Sequence, residues 1–440
     1  MKKPILSEYK KQLDFHQRKI ILNFQTNIYS IGEFMDLIVA KFDGNVLKDG
    51  SKIKDAAQSV VDEYLKGTQI VVIASAPSKT TDDLIKLSTD AAGHFLTDSQ
   101  KAEIMAMGER TIARLLKSTI EDLGVRAEVI DPYSDLWPIV TDSNFLEAKI
   151  DFQSSEQKIN TLKILLNQGI IPVICGFLGK GRSNEVTTLG RGGSDITAFL
   201  IANCLNANEI IIISDVDGIM SSDPIQIEKA KLLREISVKE LINLSTKGVR
   251  LIHPHALKYK TPEIKAKVIN GKYKDLTSYG TEIIGPFEED LQKTASLYKD
   301  PLSIIAIVGD GLLSKTGLLS ELTDFLAEND LNIYKLTVGN NSITIFVDKS
   351  ESDRAYHVLH DFVLKSDTYN SLSLGKDTAL ITIMNLDVVE KPGIIAAITE
   401  QLRKNNIKII EINSSLTAIV LIVDWADGER ACELINDILE

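Results

Sequence analysis

Lys41, Arg191 and a recurring set of glycines, serines and aspartates are the residues of this sequence whose types and spacing could handle anions. They fall in four turns, each following a short apolar run. These are AKFDGNVLKDG, with Lys41 and Gly44 directly after the first run; SAPSKTTDD (75–83); TTLGRGGSD (187–195), with Arg191, Gly192, Gly193, Ser194 and Asp195; and SDVDGIMSSDP (214–224). The third has the strongest physical case. Glycines let the backbone approach a ligand, and amide groups at a helix N-terminus face an anion. The Arg191 guanidinium adds a planar fork suited to carboxylate or phosphate. One such glycine cluster is as often a plain strand-to-helix turn. Four of them outline one anion-handling cleft, because open α/β sheets take their ligands at the carboxyl ends of strands.

What is missing narrows the chemistry. No GxxxxGK[ST] occurs, and GFLGKG (176–181) has the wrong spacing, which removes P-loop NTPases. No GxGxxG follows the first strand, which weakens a dinucleotide reading, and there is no GxSxG elbow. His16, His94, His357 and His360 lie outside the four turns, and His253 and His255 of LIHPH read as structural. The lack of a histidine base suits a carboxylate substrate, which is ionised at neutral pH and needs no base to attack phosphorus. Positioning and charge neutralisation would suffice.

These turns need a scaffold. A chain of 440 residues exceeds one hydrophobic core, so two or more domains are expected. With 44% hydrophobic and 25% charged residues it reads as globular, and a net charge of -12 argues against nucleic-acid or anionic-membrane partners. No apolar run reaches the roughly 18 residues of a membrane span. MKKPILSEYKKQLDFHQRK lacks the apolar stretch of a secretory signal. Cys175, Cys204 and Cys432 are far apart with no metal spacing, which suits reduced thiols in the cytoplasm.

From Phe34 onward short apolar runs alternate with helical patterns, the sign of an α/β fold with a mainly parallel sheet. Strands are predicted at 34–40, 69–74, 125–131, 170–175, 209–214 and 266–270. Helices are predicted over Asp98–Leu123, over Asp195–Leu205, and where Ile53, Ala56, Val60, Val61, Tyr64 and Leu65 share one face. This α/β region covers 34–285, behind an N-terminal extension of 1–33 and ahead of a polar, proline-flanked linker at 286–301. Two aligned repeats follow, at 302–364 and 378–440. In each, a glycine (Gly317, Gly393) opens a helix and an Asn-Ile pair (Asn332-Ile333, Asn406-Ile407) enters the next strand.

Over Phe34 to Glu440 these motifs resemble those of aspartate kinases in the amino-acid kinase superfamily. AKFDGNVLKDG is similar to that family's K-F-G-G-T-S loop, SAPSKTTD to S-A-M-x-x-x-T-D, and GERTIARLL (108–116) to G-E-R-x-S-A. TTLGRGGSDITA resembles T-T-L-G-R-G-G-S-D-x-T-A almost letter for letter, SDVDGIMSSDP resembles T-D-V-D-G-[VI]-x-T-x-D-P, and VRLIHPHAL (249–257) resembles K-V-L-H-P-x-x-L. The resemblance implies a three-layer αβα kinase domain followed by two βαββαβ ACT-like modules. It also implies transfer of phosphate from Mg-ATP to the side chain of L-aspartate, at the head of lysine, threonine and methionine biosynthesis, with lysine or threonine as effector and a homodimer or larger assembly.

By position, Lys41 and Asp195 would be catalytic, and Ser75, Thr81, Glu109, Arg191 and Ser194 would hold substrate. Glu109 would take the amino group and Arg191 a carboxylate. Lys41, Gly44, Gly192, Gly193, Ser214, Asp215, Met220 and Arg250 would meet the nucleotide, whose phosphates carry Mg2+, and Asp43 is a possible metal contact. The sequence departs from the pattern at Asp43 (glycine in the family), Asn45 (threonine), Ile225 (arginine) and Arg250 (lysine). A carboxylate about 4 Å from a phosphate oxygen costs roughly 4 kcal/mol at an effective dielectric of 20. Asp43 is therefore expected to turn aside or to join the magnesium shell. The competing readings are another small-molecule kinase of this fold, or a weakened kinase that serves as an amino-acid-sensing protein.

Overall fold

An unbroken apolar run such as Ile210–Ile213 makes a stable strand only where both faces of the sheet are covered, and all four of these isoleucines are buried. The computed structural model of the protein describes residues 36–439, apart from 78, 93–94, 223–226, 228, 246–251, 288–294, 313–315, 385–391 and 416–417. The expected N-terminal extension, Ile225 and Arg250 therefore lie outside the described residues, as do parts of the expected linker and of the glycine turns of both repeats. The chain divides into a unit ending at Phe287 and a second unit holding the remainder.

In the first unit the strands are β1 (Leu37–Phe42), β2 (Gln69–Ala74), β3 (Ala127–Ile130), β4 (Val140–Thr141), β5 (Ile171–Cys175), β6 (Leu178–Gly181), β7 (Val186–Thr188), β8 (Glu209–Ser214), β9 (Glu235–Ser237), β10 (Lys265–Asn270) and β11 (Gly280–Ile284). Eight form one sheet in the order β3-β5-β2-β1-β8-β10-β11-β9, and β4-β6-β7 form a small second sheet. Only β10 and β11 pair antiparallel in the large sheet. Its four main helices are α1 (Gly50–Tyr64), α2 (Thr80–Ala92), α3 (Asp98–Asp122) and α4 (Gly193–Leu205). Asp49 caps α1 by accepting the Lys52 amide. Thr97 and Gln100 form a reciprocal capping box on α3, which fixes where that long helix begins.

Of the predicted boundaries that shift, two bear on the cleft. The first strand is expected to end at Ala40, yet β1 runs to Phe42, so Lys41 belongs to the strand and pairs with Ile73 and Ile212. The charge misleads here because it is neutralised inside the fold. The helix expected from Asp195 starts at Gly193, since Gly192 adopts the left-handed conformation at its N-cap.

In the second unit β13 (Leu302–Val308), α5 (Leu318–Glu328), β14 (Lys335–Val338), β15 (Ser342–Asp348), α6 (Ser352–Leu364) and the first part of β16 (Ser371–Ile383) form one module. The rest of β16, with α7 (Ile394–Lys404), β17 (Ile409–Ser414), β18 (Ile419–Asp424) and α8 (Gly428–Leu439), forms the other. The sequence between the units reads as linker, but Ser296–Leu297 is a strand, β12, paired with Thr382 and Ile381 of β16. Leu297 packs against the core of the second module, so that module is completed by a strand lying ahead of the first. Two residues are too short a run for periodicity to detect.

Thr281 on β11 ties the turn after β8 to the sheet. Its hydroxyl accepts the Ile219 amide at 2.8 Å and donates to the Leu233 carbonyl at 2.6 Å, and the residue is wholly buried. Thr281→Val keeps the shape and leaves both backbone groups unpaired. It should lower unfolding free energy by about 2–4 kcal/mol in urea melts, whereas Thr281→Ser should cost less than half of that.

Candidate active site

The Lys41 side chain leaves β1 at the centre of the large sheet and is 6% exposed. A buried ammonium persists only beside opposite charge. Its Nζ lies 2.7 Å from Asp195 Oδ1 and also contacts Asp43 Oδ1. Burial by itself would lower the Lys41 pKa; the Asp195 and Asp43 carboxylates outweigh it and hold the ammonium above its ordinary range. Asp195 stands in the first turn of α4, and its other oxygen accepts the His253 main-chain amide at 3.1 Å. His253 thus serves through its backbone. A Cβ added to Gly192 would lie 2.1 Å from that of His253, so only glycine lets these two loops meet.

The loops after β1 and β2 also touch through backbone, since a Cβ on Gly44 would lie 2.0 Å from the Ala76 carbonyl oxygen. Across from them, Glu109 on α3 is 4% exposed. Its Oε1 accepts the Ala76 amide at 3.1 Å, and among the described residues Oε2 has no hydrogen-bond partner. Burial pushes this carboxyl up to about 7, against the pull of the Ala76 amide. The Ser75 hydroxyl is likewise buried and unpartnered among the described residues.

Lys41, Asp43, Ser75, Thr81, Glu109, Arg191, Gly192, Gly193, Ser194 and Asp195 line one cleft of about 450 Å3. Its cations are Lys41 and Arg191; its carboxyl groups are Asp43, Asp82, Glu109, Glu147 and Asp195. Ser214 and Asp215 stand beside this lining at the end of β8. Asn45 Nδ2 donates to Asp215 Oδ2 at 2.9 Å, which joins them to the Lys41 loop. Met220 forms a single bridge with Leu232 and does not line the cleft.

Sequence reasoning missed Glu147 and Phe177, and reached Asp82 only as part of the 75–83 turn. Glu147 sits in an irregular stretch after β4 that carries no motif. Phe177 stands two residues past the end of β5, in the turn where ligand-facing residues collect, and its φ of +69° is rare for a bulky residue. A Cβ on Gly193 would lie 2.9 Å from the Phe177 Cα, so Phe177 backs the start of α4.

A cleft at the carboxyl ends of β1, β2 and β5, built on a buried lysine–aspartate pair, is accompanied by a direct likeness: the amino acid kinase family model matches residues 36–270. The chain belongs to the amino acid kinase family. An ACT domain model matches residues 298–361. Among relatives, aspartokinase 2 of Bacillus subtilis is 28% identical over 413 residues, covering 92% of this chain and 98% of the relative. Among solved structures, the aspartate kinase from Synechocystis superposes with a TM-score of 0.74 at 24% identity, covering 91% of this chain and 69% of that one. The E. coli aspartokinase III complex with aspartate and ADP gives 0.51 at 20% identity, covering 91% and 99%. Its complex with lysine and aspartate gives 0.50 at 20% identity, covering 92% and 99%. At these identities the structures share the fold.

In this member of the amino acid kinase family, Glu109 makes stability depend on pH. Its folded-state pKa, about 7, lies above the ordinary 4.5, so the folded chain holds the proton more tightly than the unfolded one. That contribution is full below about pH 4.5 and is lost as pH rises through about 7. Glu109→Gln, which mimics the protonated group, should match the parent in denaturant melts at pH 4. At pH 8 it should be more stable by about 1–3 kcal/mol.

Proposed function

We propose that the chain is an aspartate kinase that transfers the γ-phosphoryl group of ATP to the side-chain carboxylate of L-aspartate, giving 4-phospho-L-aspartate and ADP. The observation that carries this reading is the Lys41 ammonium, clamped by Asp195 at the floor of a cleft whose walls offer Arg191 and the unpartnered Glu109 oxygen. Arg191 suits a substrate carboxylate, and Glu109 suits the amino group. Ser75, Thr81 and Ser194 complete the substrate side, and Ser214, Asp215, Gly192 and Gly193 the nucleotide side.

The substrate carboxylate is already ionised. One of its oxygens attacks the γ-phosphorus, the bond to the bridging oxygen of ADP breaks, and no proton has to move. Lys41 stabilises the charge gathering on the phosphoryl oxygens, while Asp195 fixes the ammonium in place. Asp43 and Asp195 are hard oxygen donors of the kind Mg2+ accepts. No group of three or more such side chains among the described residues could hold a metal unaided. A Mg2+ brought on the phosphates fits this arrangement and would neutralise charge there.

The relatives' names support the substrate, and the ACT match supports control by an amino acid. We place the enzyme in the cytoplasm, as a homodimer or larger assembly, at the first step of lysine, threonine and methionine biosynthesis. Among the described residues no helix is long and apolar enough to cross a membrane.

Purified protein given aspartate and Mg-ATP, with product trapped as the hydroxamate, should exceed its Lys41→Ala variant by about a hundredfold or more. Equal signals would favour the amino-acid-sensing reading over an enzyme. Millimolar lysine or threonine should raise the melting temperature, because a ligand bound to the folded state alone stabilises it. A flat response to both would remove these effectors.

A further inference from the structure

We propose that Asp43 is a specificity-determining residue that admits nucleotide phosphates to Lys41 only when a divalent cation accompanies them. The proposal rests on the phosphoryl-transfer reading of the same cleft. It goes beyond that reading by assigning a task to a side chain that the family pattern replaces with glycine.

The Lys41 ammonium has a carboxylate on each of two sides. Side-chain exposure is 6% for Lys41, 9% for Asp195 and 24% for Asp43. Asp195 therefore sits on the closed side and Asp43 on the side open to the cleft, where an incoming phosphate must arrive. Neither backbone can give way. Lys41 is paired on both edges inside the sheet. The Asp43 amide donates to the Ile213 carbonyl at 2.9 Å, and its carbonyl accepts the Val46 amide at 3.1 Å. The neighbouring Gly44 is wedged against Ala76. The Asp43 carboxylate can leave Lys41 only by rotating its side chain, and that motion keeps it within the same mouth.

A bare polyphosphate that displaces Asp43 gains the ammonium but still faces the displaced carboxylate. Among the described residues the lining carries two cations, Lys41 and Arg191, against five carboxyl groups, so the displaced carboxylate is not offset in full. A divalent cation reverses the sign of the encounter. Carboxylate and phosphate oxygens are both ligands for it, so Asp43 rotated off Lys41 becomes an attractive partner for the metal side of the nucleotide. Discrimination between metal-bound and metal-free nucleotide is the consequence. Close like charges at an effective dielectric near 20 are worth about a thousandfold at most, and about 10- to 100-fold once solvent shares the field.

The test is calorimetric titration of ATP into the full-length protein, without aspartate, in MgCl2 and in EDTA. The parent should bind about 10- to 100-fold more weakly in EDTA. Asp43→Asn and Asp43→Gly should each strengthen binding in EDTA by about 10-fold or more while changing Mg-ATP affinity little, so the ratio between the two conditions shrinks. Glu128→Gln, which removes an exposed carboxylate of β3 outside the cleft lining, should leave that ratio as it is. Normal Mg-ATP binding with an unchanged ratio in both Asp43 variants overturns the proposal alone, as does an equal effect of Glu128→Gln. A parent that binds ATP in neither condition overturns the phosphoryl-transfer reading and the proposal together. The two variants are independent, so failure of one to fold leaves the other to decide.

Discussion

A lysine ammonium buried in the middle of a parallel sheet is the constraint on which the catalytic unit depends. Water cannot solvate it there, so the fold must bring carboxylates to it, and the two that arrive come from near and far along the sequence. Asp43 is two residues along the same strand end. Asp195 is carried in by α4, whose first turn is fixed by a left-handed glycine and by the backbone of the His253 loop. Removing both carboxylates would leave an uncompensated charge in the core, which costs several kcal/mol. The geometry of the cleft and the stability of the sheet are thus set by the same contact.

Much of this was legible in the sequence, for physical reasons. β2 and β8 were predicted to the residue, because runs such as QIVVIA and EIIIIS are apolar throughout and bounded by polar turns. The glycine-rich turn before α4 advertised a close approach, and the structure shows what approaches: His253 and Phe177. Lys41 was placed one step too late, in the loop, because a charged residue inside a central strand is legible only once its partners are known. Glu147 carried no signal at all, since it reaches the cleft from an irregular stretch that no periodicity describes. The direction of the Asp43 side chain could not be read either. A carboxylate next to a phosphate site can turn away, bind metal or pair with lysine, and only the three-dimensional arrangement chooses.

An anion-handling cleft with more carboxyl groups than cations is less paradoxical than it looks. Glu109 is buried deeply enough to hold its proton near neutrality, and Asp195 and Asp43 are both engaged by Lys41. The formal excess of negative charge is therefore partly silent until ligands arrive. An ammonium group, a guanidinium-bound carboxylate and a cation-laden phosphate each find a partner that is underused in the empty cleft.

The two-residue strand β12 has a consequence for how the protein is made. Its partner on β16 lies 86 residues further along the chain, and almost everything between them, up to the first part of β16, belongs to the other module. At about 5–20 residues per second of synthesis, β12 waits several seconds for the strand it must join. During that interval the inserted module can close its own core, because all of its strands up to β16 are local. The second module is then finished last, on the edge of a strand that the first has already set in place. Biosynthesis therefore imposes an order of assembly on two modules that look equivalent as repeats.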